Sequence, residues 1–269
     1  SVADGWAPYI CMTTDNNGNG YPNFGQFDLN SFSSNIPAGF KTLTTKNLRD
    51  ELLTSSGQSI NPREHFAAIT YTGAQSNTKI TGLLFEPDLI WCKSRTQAYS
   101  HYLFDRLRGF GNNLISNTTA AEASDATAIA GTHASGFFVS SSSGISDTYQ
   151  APNNNVAWCW KAGGAAVTNT DGDITSQVSV NEEAGFSIAT YTGSTASGAL
   201  TVGHGLGKKP AWVIVKRRDS SGEWIVGHKG LAVNAFANNK FLKLEENSSV
   251  FTNSLVWGAE PTTTVTQIE

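Results

Sequence analysis

"FAAITYTG" at residues 66–73 returns as "FSIATYTG" at residues 186–193, an offset of 120. The agreement runs beyond these eight residues. A polar gap and "ITGLLFEPDLIWCKSR" (80–95) follow the first stretch; a polar gap and "LTVGHGLGKKPAWVIVKRR" (200–218) follow the second. Pro87 and Pro210, Ile90 and Val213, and Lys93 and Lys216 pair at one common offset of 123. Each copy therefore reads apolar strand, Thr-Gly turn, small polar gap, Gly turn, Pro, apolar strand, Lys. Shared order over about 30 residues with one short indel marks tandem copies of one structural unit.

The unit is β. Both opening stretches are rich in β-branched and aromatic residues and close on Gly, a strand followed by a turn. Pro87 and Pro210 stand at strand starts, where a missing N–H costs little. "PDLIWCK" and "PAWVIVK" are nearly continuous apolar runs, as expected of strands covered on both faces. "GFFVSS" (136–141) and "NVAWCWK" (155–161) complete the first copy. The second continues through "EWIVGHKG" (223–230), "KFLKLEE" (240–246) and "SSVFTNSLVWG" (248–258). No segment after Trp257 matches "NVAWCWKAGG", so the second copy is expected to be incomplete and to be finished by another chain or by further residues. Helical signals are weak; "TTAAEASDATAIA" (118–130) has room for one turn.

The expected fold class is all-β: tandem β-sandwich domains with short strands and little helix. Repeat 1 spans 66–168, a linker 169–185, and repeat 2 spans 186–269. Residues 1–48 are not a third copy; they read as two short strands, a turn and an extended tail. Residues 49–65 read as a polar linker.

Composition narrows the class. Charged residues make up 15% of the 269, against about 25% in ordinary soluble domains. Ser, Thr, Asn and Gly take their place, which suits exposed strand faces and turns. The net charge of −4 gives no electrostatic reason to bind nucleic acid. Lys208-Lys209 and Lys216-Arg217-Arg218 are too short to be more than solvated turns. No apolar run reaches the ~18–20 residues that span a bilayer, so membrane insertion is not expected. The chain opens at Ser1 without a leader pattern, so a processed or trimmed N-terminus is expected. Cys11, Cys92 and Cys159 each sit among apolar residues without CxxC spacing. They read as buried free thiols rather than as a disulfide framework or a zinc site.

"NFGQFDLNSFSSNIPAGFKTLTTKNL" (23–48) is similar to the closing stretch of SPRY-like, concanavalin-type β-sandwiches in marine bacteriophage virion proteins. Those sequences carry an "RPF" where this chain has Phe27-Asp28-Leu29. From "YTG" and "GLLFEPDLIWCKSRTQAYSHYLFDRLRG" through "SGFFVSS", "NVAWCWKAGGAAVTNTDGDITSQVSVNEEAGFSIATYTG" and "VGHGLGKKPAWVIVKRR", the chain resembles the repeat that follows in phage tail-fibre-like and other large virion proteins. The resemblance covers most of residues 20–258. It implies a β-sandwich array in a virion component assembled in the host cytoplasm, and it carries over no catalytic residue. It further implies that residues 1–48 are the last strands of a SPRY-like sandwich whose body lies elsewhere. Fibres of this kind are homo-oligomers, with trimers the family expectation, and their partners are other tail or capsid proteins and host-surface glycan.

Several stretches invite a chemical reading. Asp15, Asn17, Asn19 and Gly20 in "DNNGNG" fit the first half of an EF-hand loop, but the twelfth position is Gln26 where a bidentate Glu is needed. A hairpin turn explains the stretch without a metal. "SHYLFDRLRG" (100–109) gathers His101, Asp105, Arg106 and Arg108, the makings of acid–base chemistry or of a structural ion pair. The second copy has His228 near Asp105's place and no matching carboxylate, which favours a structural role. "HGLGKKP" (204–210) precedes a strand, whereas a phosphate loop leads into a helix; a tight turn is the better account. Asp171 and Asp173 flank one Gly, as in an Asp-Gly turn rather than a glycosidase pair. No catalytic residue, metal ligand or cofactor is assigned.

Seven Trp remain. Trp91, Trp158, Trp160 and Trp212 lie inside apolar strands and are expected in the core. Trp6, Trp224 and Trp257 have more polar neighbours. Exposed aromatic faces stack on sugars at little entropic cost. The candidate glycan contacts are Tyr99, Tyr149, Trp224 and Trp257. The expected function is structural and adhesive, a virion tail-fibre or appendage segment. The alternatives are a capsid-surface decoration or tail adaptor without a receptor role, and a virion-borne glycan hydrolase.

Overall fold

The computed structural model describes residues 12–14, 20–22, 61–73, 77–125, 128–139, 153–194, 198–254 and 256–268. The chain divides into two units, Ser1–Ile60 and Asn61–Glu269. In the first, β1 (Met12–Thr14) and β2 (Gly20–Pro22) pair antiparallel, with Thr14 opposite Gly20. The Asn- and Gly-rich residues 15–19 between them lie outside the described residues. The SPRY-like closing stretch assigned to residues 23–48 lies outside the described residues.

The second unit is built from strands; one 3-10 turn, Pro62–Glu64, is its helical part among the described residues. Copy 1 comprises β3 (Phe66–Thr72), β4 (Thr78–Thr81), β5 (Leu89–Ser94), β6 (Tyr102–Asp105), β7 (Asn112–Ile115), β8 (Ala123–Ser124), β9 (Ile129–His133), β10 (Gly136–Val139) and β11 (Asn154–Trp160). One sheet has the order β3-β11-β5-β6-β7-β8, and a second has β4-β10-β9. β11 is central to the first, bonded to β3 on one side and β5 on the other. Its alternation sends Asn155, Ala157 and Cys159 inward, as period-2 strands require. Ala157 and Cys159 meet Ile90 and Cys92 of β5, Phe104 of β6, and Ile80, Phe137 and Val139 of the facing sheet in one buried cluster. The expected sandwich character is therefore present: two antiparallel sheets closing on one apolar layer.

Copy 2 comprises β12 (Val167–Asn169), β13 (Ser176–Asn181), β14 (Phe186–Tyr191), β15 (Leu200–Gly203), β16 (Trp212–Lys216), β17 (Trp224–His228), β18 (Lys240–Lys243), β19 (Phe251–Thr252) and β20 (Val265–Ile268). Its sheets run β12-β13-β14, β15-β20 and β16-β17-β18-β19. The registers repeat those of copy 1. Leu89 opposes Asp105 and Trp91 opposes Leu103; 123 positions on, Trp212 opposes His228 and Ile214 opposes Val226. The bond from Arg106 N–H to the Asp88 carbonyl (2.9 Å) recurs from Lys229 N–H to the Ala211 carbonyl (2.9 Å). Asn112 opposes Ser124 as Lys240 opposes Thr252, and Ile80 opposes Phe137 as Val202 opposes Thr266.

Three particulars differ from the sequence reading. Residues 169–185, expected as a linker, contain β13, which pairs with the whole of β14. The repeat begins before Phe66. His65 N–H bonds the Pro62 carbonyl as Gly185 N–H bonds the Glu182 carbonyl. The Asn61 and Asn181 side chains each accept a backbone N–H in that turn. Finally, β16 is not covered on both faces: Trp212 is 53% and Ile214 36% exposed.

The copies also fill one core position by different means. Phe104 of copy 1 is fully buried; its counterpart on β17 is Gly227. The vacated space is taken by Phe236, also fully buried, and a Cβ on Gly227 would lie 2.2 Å from the Phe236 ring. Gly227→Ala is therefore expected to overpack the site and lower stability by about 1–3 kcal/mol, read as a reduced urea midpoint at unchanged m-value.

Candidate functional site

The described polar and aromatic clusters concentrate where the two copies meet. The outer face of copy 1's large sheet presents Trp91, Leu103 and Leu114. Trp224 from β17 is buried against Leu103 and Leu114, with Trp91 and Leu244 packed around them. The Trp224 indole N–H donates to the carbonyls of Ile115 (3.0 Å) and Thr118 (3.1 Å). The Lys216 ammonium lies 5.9 Å from its ring centroid, and burial pushes the Lys216 pKa down. Backbone bonds flank the contact, from Glu122 N–H to the Arg218 carbonyl (2.8 Å) and from Gly222 N–H to the Thr119 carbonyl (2.9 Å).

An ionic network closes the same seam. The buried guanidinium of Arg108 pairs with Asp105, reaches Glu122 at 3.0 Å and donates to the Leu103 carbonyl at 2.9 Å. Glu122 also takes Arg218 of copy 2 at 2.8 Å. Burial alone would raise the Glu122 pKa, but hydrogen bonds and charge from Arg218 and Arg108 hold it below its ordinary 4.5. Glu86 is likewise held down, by Thr132 first and then Arg106. A carboxylate with a depressed folded-state pKa stabilises the fold above its unfolded pKa, and that contribution is lost as pH falls through the folded value. Stability is therefore expected to be nearly level above about pH 5.5 and to fall on acidification below the ordinary Glu range. Glu122→Gln should flatten part of that fall in urea titrations run at a series of pH values.

The sequence-level catalytic cluster does not converge. Asp105 and Arg108 pair with each other, while Arg106 turns to Glu86 (2.8 Å) and to Asp88. Asp88, 2% exposed, also accepts from Ala162 N–H at 2.7 Å. His101 packs edge-on to Trp91. Asp105 and Asp88 are each held by a guanidinium and a backbone amide, and Glu86 by the Arg106 guanidinium and the Thr132 hydroxyl. Asp173 accepts from the Thr201 amide (3.0 Å) and hydroxyl (2.7 Å) of β15, whereas Asp171 accepts locally from Asn169 (2.9 Å). In "HGLGKKP", Gly205 and Gly207 have positive φ, and Lys209 pairs with Glu260 at 2.9 Å: a tight turn, as expected.

The aromatic candidates divide. Tyr99 is half-buried in the loop after β5, and Tyr149 lies outside the described residues. Trp224 (3% exposed) and Trp257 (1% exposed) are core residues, which corrects their assignment as glycan contacts: their ring faces are covered by protein. Trp257 packs edge-on to Phe236. Trp212, expected in the core, is instead the exposed indole. Strand phase is the signal that separates them. Trp212 shares the outward phase of Ile214 and Lys216, and polar neighbours along the chain said nothing of what lay across the sheet. Trp6 lies outside the described residues.

Among the described residues, no group of three His, Cys, Asp or Glu is placed to hold a metal. Cys92 and Cys159 are free thiols in the core, and burial pushes the Cys159 pKa up, which makes it an inert thiol. Cys11 lies outside the described residues.

Residues 61–269 match the model of a family described as a domain of unknown function, DUF7483. The match starts at Asn61, the residue at which the second structural unit starts. No curated protein and no solved structure matches the chain.

Proposed function

The chain belongs to the DUF7483 family through residues 61–269, and from that premise we propose that it is a structural and adhesive component of a bacteriophage virion, a tail-fibre or appendage segment presenting β-sandwich units for host-surface attachment. The observation that carries this reading is the tandem repeat itself. Two copies with matching strand registers are joined by an aromatic seam and an ionic network. Joining equivalent units in series builds a stiff body from nearest-neighbour contacts, and it multiplies weak binding sites through effective concentration. The sequence resemblance to phage virion repeats supplies the biological setting. The proposal includes homo-oligomerisation, with a trimer favoured, and contact with other tail or capsid proteins.

For surface attachment, the aromatic candidates are the exposed Trp212 and the half-buried Tyr99, with Tyr149 a further candidate. The test is native mass by light scattering at two concentrations, followed by a glycan array. A stable trimer that retains one class of glycan, and loses it on Tyr99→Ala or Trp212→Ala, supports the reading. A monomer that binds no glycan sinks it for this segment.

A further inference from the structure

We propose that one end of the β16–β17 pair in copy 2 is a binding site for an acidic saccharide, one that carries carboxylate or sulfate groups. Trp212 is its ring platform, and Lys208, His228 and Lys229 are the groups that meet the anion. This deepens the attachment reading and rests on it: it gives the charge class of the glycan and the place where it sits.

The comparison of the two copies carries the proposal. In copy 1, the end of β5 and β6 holds an internally neutralised cluster. Glu86 and Asp88 hold the Arg106 guanidinium, and Asp105 holds that of Arg108. At the offset of 123, Glu86, Asp88, Asp105, Arg106 and Arg108 correspond to Lys209, Ala211, His228, Lys229 and Leu231. The backbone frame is the same. Trp212 opposes His228 as Leu89 opposes Asp105, and Lys229 N–H bonds the Ala211 carbonyl as Arg106 N–H bonds that of Asp88. Copy 2 therefore keeps a cation at the place of Arg106 and has none of the three carboxylates around it. A second cation stands for Glu86, a methyl group for Asp88 and an imidazole for Asp105.

The surroundings leave that charge unmet. Among the described residues, Glu260 pairs with Lys209 at 2.9 Å, and the Glu182 carboxylate lies beside Gly207. Neither Lys208 nor Lys229 has a carboxylate partner among the described residues, and both are exposed. His228 is exposed too, and its Nδ1 accepts from Gly230 N–H at 3.0 Å. The ring proton of the neutral imidazole is then on Nε2, a donor suited to an anionic oxygen. Trp212, across the strand pair from His228, is 53% exposed where copy 1 has a half-buried Leu89. An exposed indole offers flat apolar area to a sugar ring at little entropic cost. Charged donors beside it make the charge-assisted bonds that separate an acidic sugar from a neutral one. The whole chain carries a net charge of −4, so this corner is a local feature and not part of a general affinity for polyanions.

The test uses the full chain on an array of neutral and acidic glycans, followed by calorimetric titration of the best-retained glycan at low salt and at about 0.5 M NaCl. Acidic glycans are expected to be retained over their neutral counterparts, with affinity falling at high salt. Trp212→Ala, and Lys208→Gln combined with Lys229→Gln, should each weaken binding at least about tenfold. Lys229→Arg keeps the charge and should keep most of the affinity, and Lys79→Gln, an exposed lysine of β4, should change nothing. All these positions are exposed, and far-UV circular dichroism of each variant checks that the fold is intact. Retention of neutral glycans alone, or of acidic glycans whose affinity neither variant changes, overturns this site and leaves the attachment reading standing. Retention of no glycan removes that reading and the site with it. Tighter binding of an oligothymidylate than of any glycan makes the occupant a nucleic acid and overturns the proposal.

Discussion

Trp224→Ala is expected to lower the stability of the second unit by about 3–5 kcal/mol, the range for truncating a buried Trp. Trp224 is 3% exposed and is a buried side chain of copy 2 packed against Leu103 and Leu114 of copy 1. Truncation removes its apolar area and both indole hydrogen bonds, leaving the Ile115 and Thr118 carbonyls without that donor. The effect should also be one of coupling. With the seam emptied, the two copies share fewer cohesive contacts, and a single cooperative transition should separate into two, the lower one belonging to copy 2, where Trp212 and Ile214 are exposed. Urea unfolding followed by far-UV circular dichroism and by tryptophan fluorescence reads both effects: coincident curves for the native chain, displaced curves for the variant. Trp224→Phe keeps most of the area and loses the N–H, so it should cost about 1–3 kcal/mol for the unmatched polar groups. If Trp224→Ala costs under about 1 kcal/mol, the seam does not hold the copies together.

That seam was the feature least legible in the sequence, and the reason is physical. The repeat was readable because strands of matching register need matching apolar phase, and "FAAITYTG" and "FSIATYTG" preserve that phase residue by residue. Among the described residues β14 is bonded to β13 and β16 to β17, where β3 and β5 of the first copy share β11. What a linear pattern does not encode is which strand faces meet between copies. Trp224 follows Gly222-Glu223 and so looked surface-bound, yet the face it occupies is covered by the other copy. Trp212 sits in "PAWVIVK" and looked buried, yet its indole is exposed. The substitution of Phe236 for the aromatic ring missing at Gly227 was hidden for a similar reason, because the two positions are neighbours across the core and not along the chain.

Arg108→Ala should be nearly as damaging as the loss of Trp224, about 3–5 kcal/mol, because it leaves a carboxylate buried without its cation. Asp105 is 5% exposed, and its two oxygens are taken by the Arg108 guanidinium and the Arg108 backbone N–H. Removing the guanidinium strands that charge and also frees Glu122, which then has Arg218 alone. Pairing the change with Asp105→Asn should restore much of the loss. An asparagine keeps a carbonyl oxygen for the Arg108-position amide and carries no charge to bury, so the double variant is expected to be more stable than Arg108→Ala alone. A double-mutant cycle in urea measures this coupling, and additive single effects would refute it. The network also bears on how the copies choose their contact. Copy 2 has an exposed His228 at the position of Asp105, so the buried pair exists on one side of the seam. Apolar faces alone tolerate sliding, whereas Glu122, held by Arg108, meets Arg218 in one placement. The double variant should therefore keep its melting transition while showing faster hydrogen exchange at Glu122 and Gly222, the amides that bridge the copies.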